Sequence, residues 1–286
     1  MTRFLTVRLL RAFVTIAAVV TFAFVVLNLS GDPATIILSP DAPPEAIKAF
    51  RAAWGLDQPL WVQYLHYCRH IIHGDFGFSM RGGRPALELV LERLPATLAL
   101  TLPALLFKLL VGVPAGIYAA LHRNSIVDRA TVLATVAGYT VPNFVLGFAL
   151  VLVFAVLLRW LPSGGFDGVR SLILPVITLG SPGAAIIARF TRSAMVEVLG
   201  QPYIRAAQAK GLSWRRVIVH HALPNAAIPT VTIVGLMIGS LVAGAVVVES
   251  VFSWPGVGRL LVISVANRDL AVVQAILILI AGPFSS

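Results

Sequence analysis

Residues 203–225, YIRAAQAKGLSWRRVIVHHALPN, form a polar and basic segment between two long apolar segments, 171–187 and 228–248. Apolar segments of about 20 residues are long enough to cross a bilayer as helices. A segment this rich in arginine and histidine, placed between two such helices, predicts a loop that faces water. The chain is therefore organised around a loop between membrane spans.

This loop also has a pattern of its own. Residues 204–210 contain good helix formers and no proline, and Gly211 follows where a glycine commonly ends a helix. Ser213 is placed to cap a second helix over 214–222, and Pro224 is placed to stop it. The pattern predicts two short helices joined by a glycine turn.

Composition limits the class of protein. Charged residues make up 12% of the chain and hydrophobic residues 58%, whereas a soluble domain has about 25% charged residues. The formal net charge of +10 fits positive loops on the cytoplasmic side of a membrane. Aromatic residues do not alternate with the basic ones, so nucleic acid is not an expected partner. Cys68 is the only cysteine, which excludes a disulfide within the chain.

The loop resembles the EAA loop of ABC-importer permeases. Ala206-Ala207, then Gly211, then Leu223-Pro224 match that pattern, with Arg205 in place of its glutamate and His221 in place of a usual isoleucine. In that family this loop docks on the ATPase subunit, and small residues let a foreign surface approach the backbone. The residues assigned to the coupling loop are Tyr203, Arg205, Ala206, Ala207, Ala209, Lys210, Gly211, Leu212, Ser213, Leu223 and Pro224.

The resemblance covers nearly the whole chain and is closest to the branch that serves dipeptides, oligopeptides and nickel. It implies a permease subunit with a second related permease chain, two ATPase subunits and an extracytoplasmic binding protein as partners, in the bacterial inner membrane. Peptides are the expected substrate, with nickel or another small solute as the alternative. The motifs of that branch, in chain order, are Gly31-Asp32-Pro33, Gly55-Leu56-Asp57-Gln58-Pro59-Leu60, Gly74-Asp75-Phe76-Gly77-Phe78-Ser79, Glu92-Arg93-Leu94-Pro95-Ala96-Thr97 and the stretch Val251 to Gly258.

The expected fold is an all-α membrane protein with six transmembrane helices, the type I importer permease fold. Three arginines before the first span favour a cytoplasmic N-terminus, and alternation then places the coupling loop inside as well. The predicted segments are a cytoplasmic N-terminus at 1–11, a first span at 12–29, an extracytoplasmic loop with amphipathic helices at 30–95, and a core permease domain at 96–286 that includes the coupling loop at 189–227.

The chain lacks the chemistry of an enzyme. Its three lysines, Lys48, Lys108 and Lys210, do not follow glycine, so no phosphate-binding loop is present and ATP with its magnesium is left to partner subunits. The six histidines show no metal-ligand spacing, so no metal or other cofactor is expected. An intramembrane protease would need a histidine in a span beside Ser181, and none is there.

Lys108, Pro142 and Glu249 are the candidates for the translocation path. Lys108 lies in the middle of the second span, either as a cation facing the path or as a lysine satisfied at a helix interface. Pro142 is expected to kink the third span, and Glu249 to reach the interface from the end of the fifth. A secondary transporter would need charged pairs within its spans, and a single lysine without an acidic partner serves that role poorly.

The last apolar run, 270–283, is short for a span. A helix over 270–284 would rise about 22 Å, against about 30 Å of hydrocarbon. One interpretation is a short helix that ends inside a bundle. The favoured one is a truncated product that assembles and transports poorly.

Overall fold

The structure is a computed structural model that describes residues 42–72 and 74–284, with scattered residues between 6 and 38. It divides into two compact units, Met1–Ala96 with Gly256–Ser286, and Thr97–Pro255. Most of the predicted segment 1–11 lies outside the described residues, whereas ten of the 18 residues of the predicted first span, 12–29, are described. Those that are described between residues 14 and 26 are helical.

The regular structure of the described residues is helical, and they contain no strand apart from one isolated bridge between Phe78 and Pro85. The all-α prediction is confirmed. The helices are α1 (Pro44–Ala53), α2 (Leu60–Ile72), α3 (Ala86–Leu121), α4 (Ile126–Thr140), α5 (Asn143–Leu150) with a π-helical continuation (Val151–Leu157), α6 (Val169–Leu199), α7 (Pro202–Ala209), α8 (Trp214–Val217) with a π-helical turn (Ile218–Ala222), α9 (Leu223–Val251), α10 (Val257–Ala266) and α11 (Leu270–Phe284).

Three described helices are long and apolar enough to cross a membrane: Ala86–Leu121, Val169–Leu199 and Trp214–Ile238. A fourth span is formed if α4 and α5 are counted together, although they meet at 106°. The break lies at Pro142, so the predicted kink is confirmed and is larger than expected. α10 and α11 are apolar but shorter, so the described residues give three or four candidate spans by length and composition, and the count of six stays a prediction.

The second span begins at Ala86, ten residues before the predicted start at Ala96. Its first turns carry charged residues, which made the sequence look like a loop. Arg84 binds both Glu88, at 2.6 Å, and Glu92 from a position just before the helix. These ion pairs hold the polar turns in helical form, so charge here does not mark irregular structure.

α6 is a long and regular span. Pro175, Gly180 and Pro182-Gly183 are residues that commonly interrupt a helix, but α6 runs unbroken from Val169 to Leu199. The glycines serve helix packing instead. A Cβ atom on Gly180 would stand 2.5 Å from Phe107, and one on Gly183 would stand 2.7 Å from the Lys108 side chain.

Close packing between α3 and α6 continues toward the end of α6 that leads into residues 203–225. A Cβ atom on Gly112 would lie 2.6 Å from the Ala184 carbonyl oxygen, and one on Gly116 would lie 2.5 Å from that of Ala188. Only glycine permits this backbone approach. α3 and α6 are therefore in backbone contact near their shared end.

Candidate functional site

The coupling segment, residues 200–226, follows α6 directly. α7 begins at Pro202, whose fixed φ suits the first helical turn, and ends at Ala209. Gly211 adopts φ +79°, the left-handed conformation that was predicted for a helix-ending glycine. The chain then enters α8 at Trp214. The two helices and their glycine turn are confirmed.

Two local predictions were wrong. Ser213 occupies the N-cap position of α8, but its side chain makes no capping hydrogen bond. Pro224 does not stop the helix, because a π-helical turn over Ile218–Ala222 leads straight into α9. A proline ring clashes with the carbonyl group four residues earlier, and the wider turn makes room for it. Asn225 Nδ2 adds a 2.7 Å hydrogen bond to the His221 carbonyl oxygen.

α7 has one buried face and one exposed face. Ile204 and Ala207 are 1% and 7% exposed and point into the protein. Ala206 lies on the exposed face. Of the residues assigned to the coupling loop, Ala207 is buried, Leu212 and Leu223 are half-buried, and the following are exposed: Tyr203, Arg205, Ala206, Ala209, Lys210, Gly211, Ser213 and Pro224.

The burial of Ala207 corrects one part of the sequence argument. Ala206, Ala207 and Gly211 were all expected to let a foreign surface approach. Ala207 instead packs inside the chain's own core, because helical residues next to each other in sequence face directions about 100° apart. Ala206 and Gly211 stay accessible.

The buried face of α7 belongs to a hydrophobic cluster that we call the anchor cluster. It joins the coupling segment to the ends of three long helices: α3, α6 and α9. Interiors packed at this density resist deformation, so a displacement of α7 is passed to those helix ends. The buried members are Ala120, Ala194, Met195, Ile204, Ala207, Val217, Ala222 and Ala226.

Two polar contacts stiffen the same end of the unit. The Arg205 guanidinium donates to the Gly200 carbonyl oxygen at 3.3 Å, at the junction of α6 and α7. Arg192 on α6 makes a two-pronged ion pair with Asp128, one nitrogen at 2.8 Å. Asp128 is 3% exposed and also accepts from the Asn124 backbone N–H at 2.9 Å.

Sequence reasoning missed the pair of Arg192 and Asp128. The two residues are 64 positions apart in the sequence. The acidic residue Asp128 in the first turn of α4 was the available signal. The pair fixes α4 to α6 beside the coupling segment.

The three translocation-path candidates have different surroundings. Lys108 is 6% exposed, with its aliphatic stem against Gly183. Glu249 is fully buried and accepts a 2.7 Å hydrogen bond from Thr97. The expectation that Glu249 reaches the interface was wrong, since α9 continues to Val251 and the Glu249 side chain is buried against Thr97 of α3. Pro142 is exposed at the bend between α4 and α5.

A second packed region lies where α9 ends. The Phe252 carbonyl oxygen accepts from the Gly165 N–H at 2.9 Å, and a Cβ atom on Gly164 would overlap it. Trp254 is 2% exposed and packs edge-to-face on Phe166 at 4.8 Å between ring centres. The loop after the π-helical continuation is thereby held on the turn that follows α9.

The chain matches the family described as the inner membrane component of binding-protein-dependent transport systems over residues 112–285. Residues 1–101 match the corresponding N-terminal family. The chain belongs to this family of ABC-importer permeases. The multi-pass inner-membrane permease is a transport subunit rather than an enzyme, and ATP hydrolysis belongs to partner chains. The protease and secondary-transporter alternatives are therefore set aside.

The permease is also similar to curated proteins over nearly its whole length. It is 47% identical to the glutathione transport system permease protein GsiC of Salmonella choleraesuis (strain SC-B67) over 94% of this chain and 88% of that protein. It is 45% identical to the GsiC protein of Escherichia coli (strain K12) with the same coverage. A solved amino acid ABC transporter with histidines aligns at a TM-score of 0.49 and 19% identity, over 69% of this chain and 91% of that one.

Proposed function

We propose that this permease imports short peptides, with glutathione the first candidate among them. The relatives at 45–47% identity carry the name of glutathione transport permeases. The motifs of the N-terminal segment, from Gly55 to Ser79 and from Glu92 to Thr97, resemble those of peptide permeases and support the same class. The nickel alternative gains no support from these relatives.

The observation that carries the coupling part of the proposal is the anchor cluster. The exposed face of α7 docks on an ATPase subunit, and the buried face transmits its movement. Because Ala120, Ala194 and Ala226 belong to three different long helices, one displacement of α7 reaches all three. ATP with its magnesium is bound by the partner subunits, and this chain supplies no cofactor.

The assembly that we propose contains this permease, a second related permease, two ATPase subunits and an extracytoplasmic binding protein. The coupling segment and the N-terminus face the cytoplasm. The segment between residues 31 and 85 faces the other side with the binding protein. Exposed apolar residues on α9, such as Ile228 and Leu236, face lipid or the second permease.

Lys108 has a proposed role in the choice of cargo. It is a buried cation with no carboxylate in hydrogen-bonding reach among the residues that the structure describes. A carboxylate-rich peptide such as glutathione would supply one when α3 and α6 separate. Lys108→Met should then lower uptake of anionic peptides and spare neutral ones, while Lys108→Arg preserves both. Equal loss for the two classes of peptide would indicate a packing role instead.

The test of the function is transport by the assembled complex. The permease and its partner subunits are placed in right-side-out membrane vesicles or in proteoliposomes. The binding protein is added outside and ATP is enclosed inside. Uptake of labelled glutathione, a neutral tripeptide and nickel is measured. We expect ATP-dependent uptake of the peptides and none of nickel. Nickel uptake without peptide uptake would overturn the proposed substrate class.

A matched control distinguishes a wrong substrate from a complex that fails to assemble. A complex whose ATPase cannot hydrolyse ATP should assemble fully and import nothing. If the active complex hydrolyses ATP in response to the loaded binding protein but moves none of the three solutes, the permease assignment stands and the peptide proposal fails.

A further inference from the structure

A cavity of about 570 Å³ lies within the unit formed by Met1–Ala96 and Gly256–Ser286. Residues from the turn between α1 and α2, from α2, from the loop after α2 and from the start of α11 line it, together with Phe24. Its walls are mainly apolar, with Trp54, Phe76, Phe78 and Leu270 among them. Cavities of about 300–1,000 Å³ with few polar groups are typical of small-molecule sites.

One polar side chain that lines this cavity has unsatisfied hydrogen-bonding groups. Gln274 is 1% exposed, and neither its Nε2 nor its Oε1 has a hydrogen-bond partner among the described residues. Gln63 lines the same cavity but donates to the carbonyl oxygens of Gln58 at 2.8 Å and Leu56 at 3.3 Å. Buried amides without partners are rare in native proteins because their desolvation is not repaid. A ligand group that hydrogen-bonds to the Gln274 amide would therefore be bound favourably.

The chemistry of that group follows from the amide. A carboxamide presents an N–H donor and a carbonyl acceptor side by side, and a peptide group offers the complementary acceptor and donor. The apolar walls suit aliphatic side chains. Exposed His66 and Asp75 also line the cavity and offer polar partners for the charged ends of a short peptide. A lipid chain would fill the walls but leave Gln274 unpaired.

We propose that this cavity is an accessory peptide-binding site in which Gln274 forms two hydrogen bonds with a peptide group of a short apolar peptide. The site rests on the proposed peptide cargo for its biological use, but its binding chemistry is measured without transport. It lies in a different unit from the coupling segment and from Lys108.

The test uses the full permease complex in nanodiscs and labelled tri-leucine as the probe. Gln274→Leu should weaken binding by about tenfold, the change expected when roughly 1.4 kcal/mol of hydrogen bonding is lost. Gln58→Leu is the matched control, since Gln58 also lines the cavity but is exposed. It should change the affinity less than threefold. Unchanged affinity in Gln274→Leu would overturn the proposal.

Two further readouts distinguish a binding role from a structural one. Gln274→Leu removes an unpaired buried amide, so its unfolding temperature should be equal to or above that of the unchanged chain. An ester analogue of tri-leucine, which lacks the peptide N–H groups, should bind the unchanged chain about as weakly as tri-leucine binds Gln274→Leu. Equal affinity for ester and peptide, or a lowered unfolding temperature, would indicate lipid-like filling or a structural glutamine.

The outcome is separable from that of the proposed function. Peptide uptake with no Gln274-dependent binding would refute the accessory site and leave the function standing. Gln274-dependent binding without any peptide uptake would support the accessory site and refute the proposed function.

Discussion

Ala206 and Ala207 are neighbours in sequence but lie on different faces of α7, which makes the same substitution a test of coupling at one position and of folding at the other. Ala206 is exposed, whereas Ala207 is 7% exposed within the anchor cluster. Glutamate has nearly the helix propensity of alanine. Any difference between the two variants therefore reports the surroundings of each side chain.

The expected magnitudes differ widely. Ala206→Glu is a surface change and should alter the free energy of unfolding by about 0.5 kcal/mol or less. Ala207→Glu places a carboxylate among Ile204, Met195 and Val217 with no cation packed in that cluster. An uncompensated buried charge costs about 3–5 kcal/mol, so this variant should lose the docking of α7 or fold poorly.

The assay has two parts. Thermal unfolding of the purified chain, followed by the loss of its monodisperse peak after heating, measures stability. Copurification with the ATPase subunit and stimulation of ATP hydrolysis measure coupling. Ala206→Glu should be stable and uncoupled, and Ala207→Glu unstable. A stable, uncoupled Ala207→Glu would show that Ala207 faces the partner, and a fully coupled Ala206→Glu would remove the exposed face of α7 as the docking surface.

Three other predictions concern single sites. Gly211→Ala should lower the free energy of unfolding by about 1 kcal/mol and reduce ATPase stimulation, because Gly211 has φ +79°. Gly200→Ala, at φ −78°, is the control and should leave the unfolding temperature nearly unchanged. Arg192→Met leaves the carboxylate of Asp128 buried without its partner and should cost about 3 kcal/mol in thermal unfolding; wild-type stability would mean that the pair is dispensable. Burial raises the pKa of Asp269 above the ordinary carboxyl value. The protonated side chain therefore contributes its full stabilisation below about pH 4, and this stabilisation is lost as the pH rises through the raised pKa. Asp269→Asn should therefore melt higher than the unchanged chain at neutral pH and lose that advantage in acid, and parallel pH profiles for the two proteins would contradict this.

The sequence was most informative where local chemistry decides the structure. The helix-ending role of Gly211 followed from the cost of a left-handed backbone for other residues, and the break at Pro142 followed from the missing N–H group of proline. α1 and α2 lie in the segment 30–95, where amphipathic helices were expected. Such signals act over a few residues and need no knowledge of neighbours.

The sequence misled where a residue type has two physical uses. Gly180 and Gly183 are of a residue type that often interrupts a helix, but they are the sites at which Phe107 and Lys108 pack closely on α6. Glu249 was taken for an interfacial charge, but its hydrogen bond with Thr97 joins positions 152 residues apart. Neither outcome can be derived from residue type, because each depends on which helix packs opposite.

The amino-acid sequence by itself therefore determined the helical membrane class, the coupling segment and the need for a separate ATPase, because hydrophobic run length, turn residues and the absence of a phosphate-binding loop are properties of the chain alone. Only the tertiary structure decided which face of α7 is free, since Ala206 and Ala207 differ in nothing but the direction of their Cβ atoms. It also decided that the buried Gln274 amide has no hydrogen-bond partner in the described part of the chain, because burial and hydrogen bonding are properties of the packed neighbours and not of the residue.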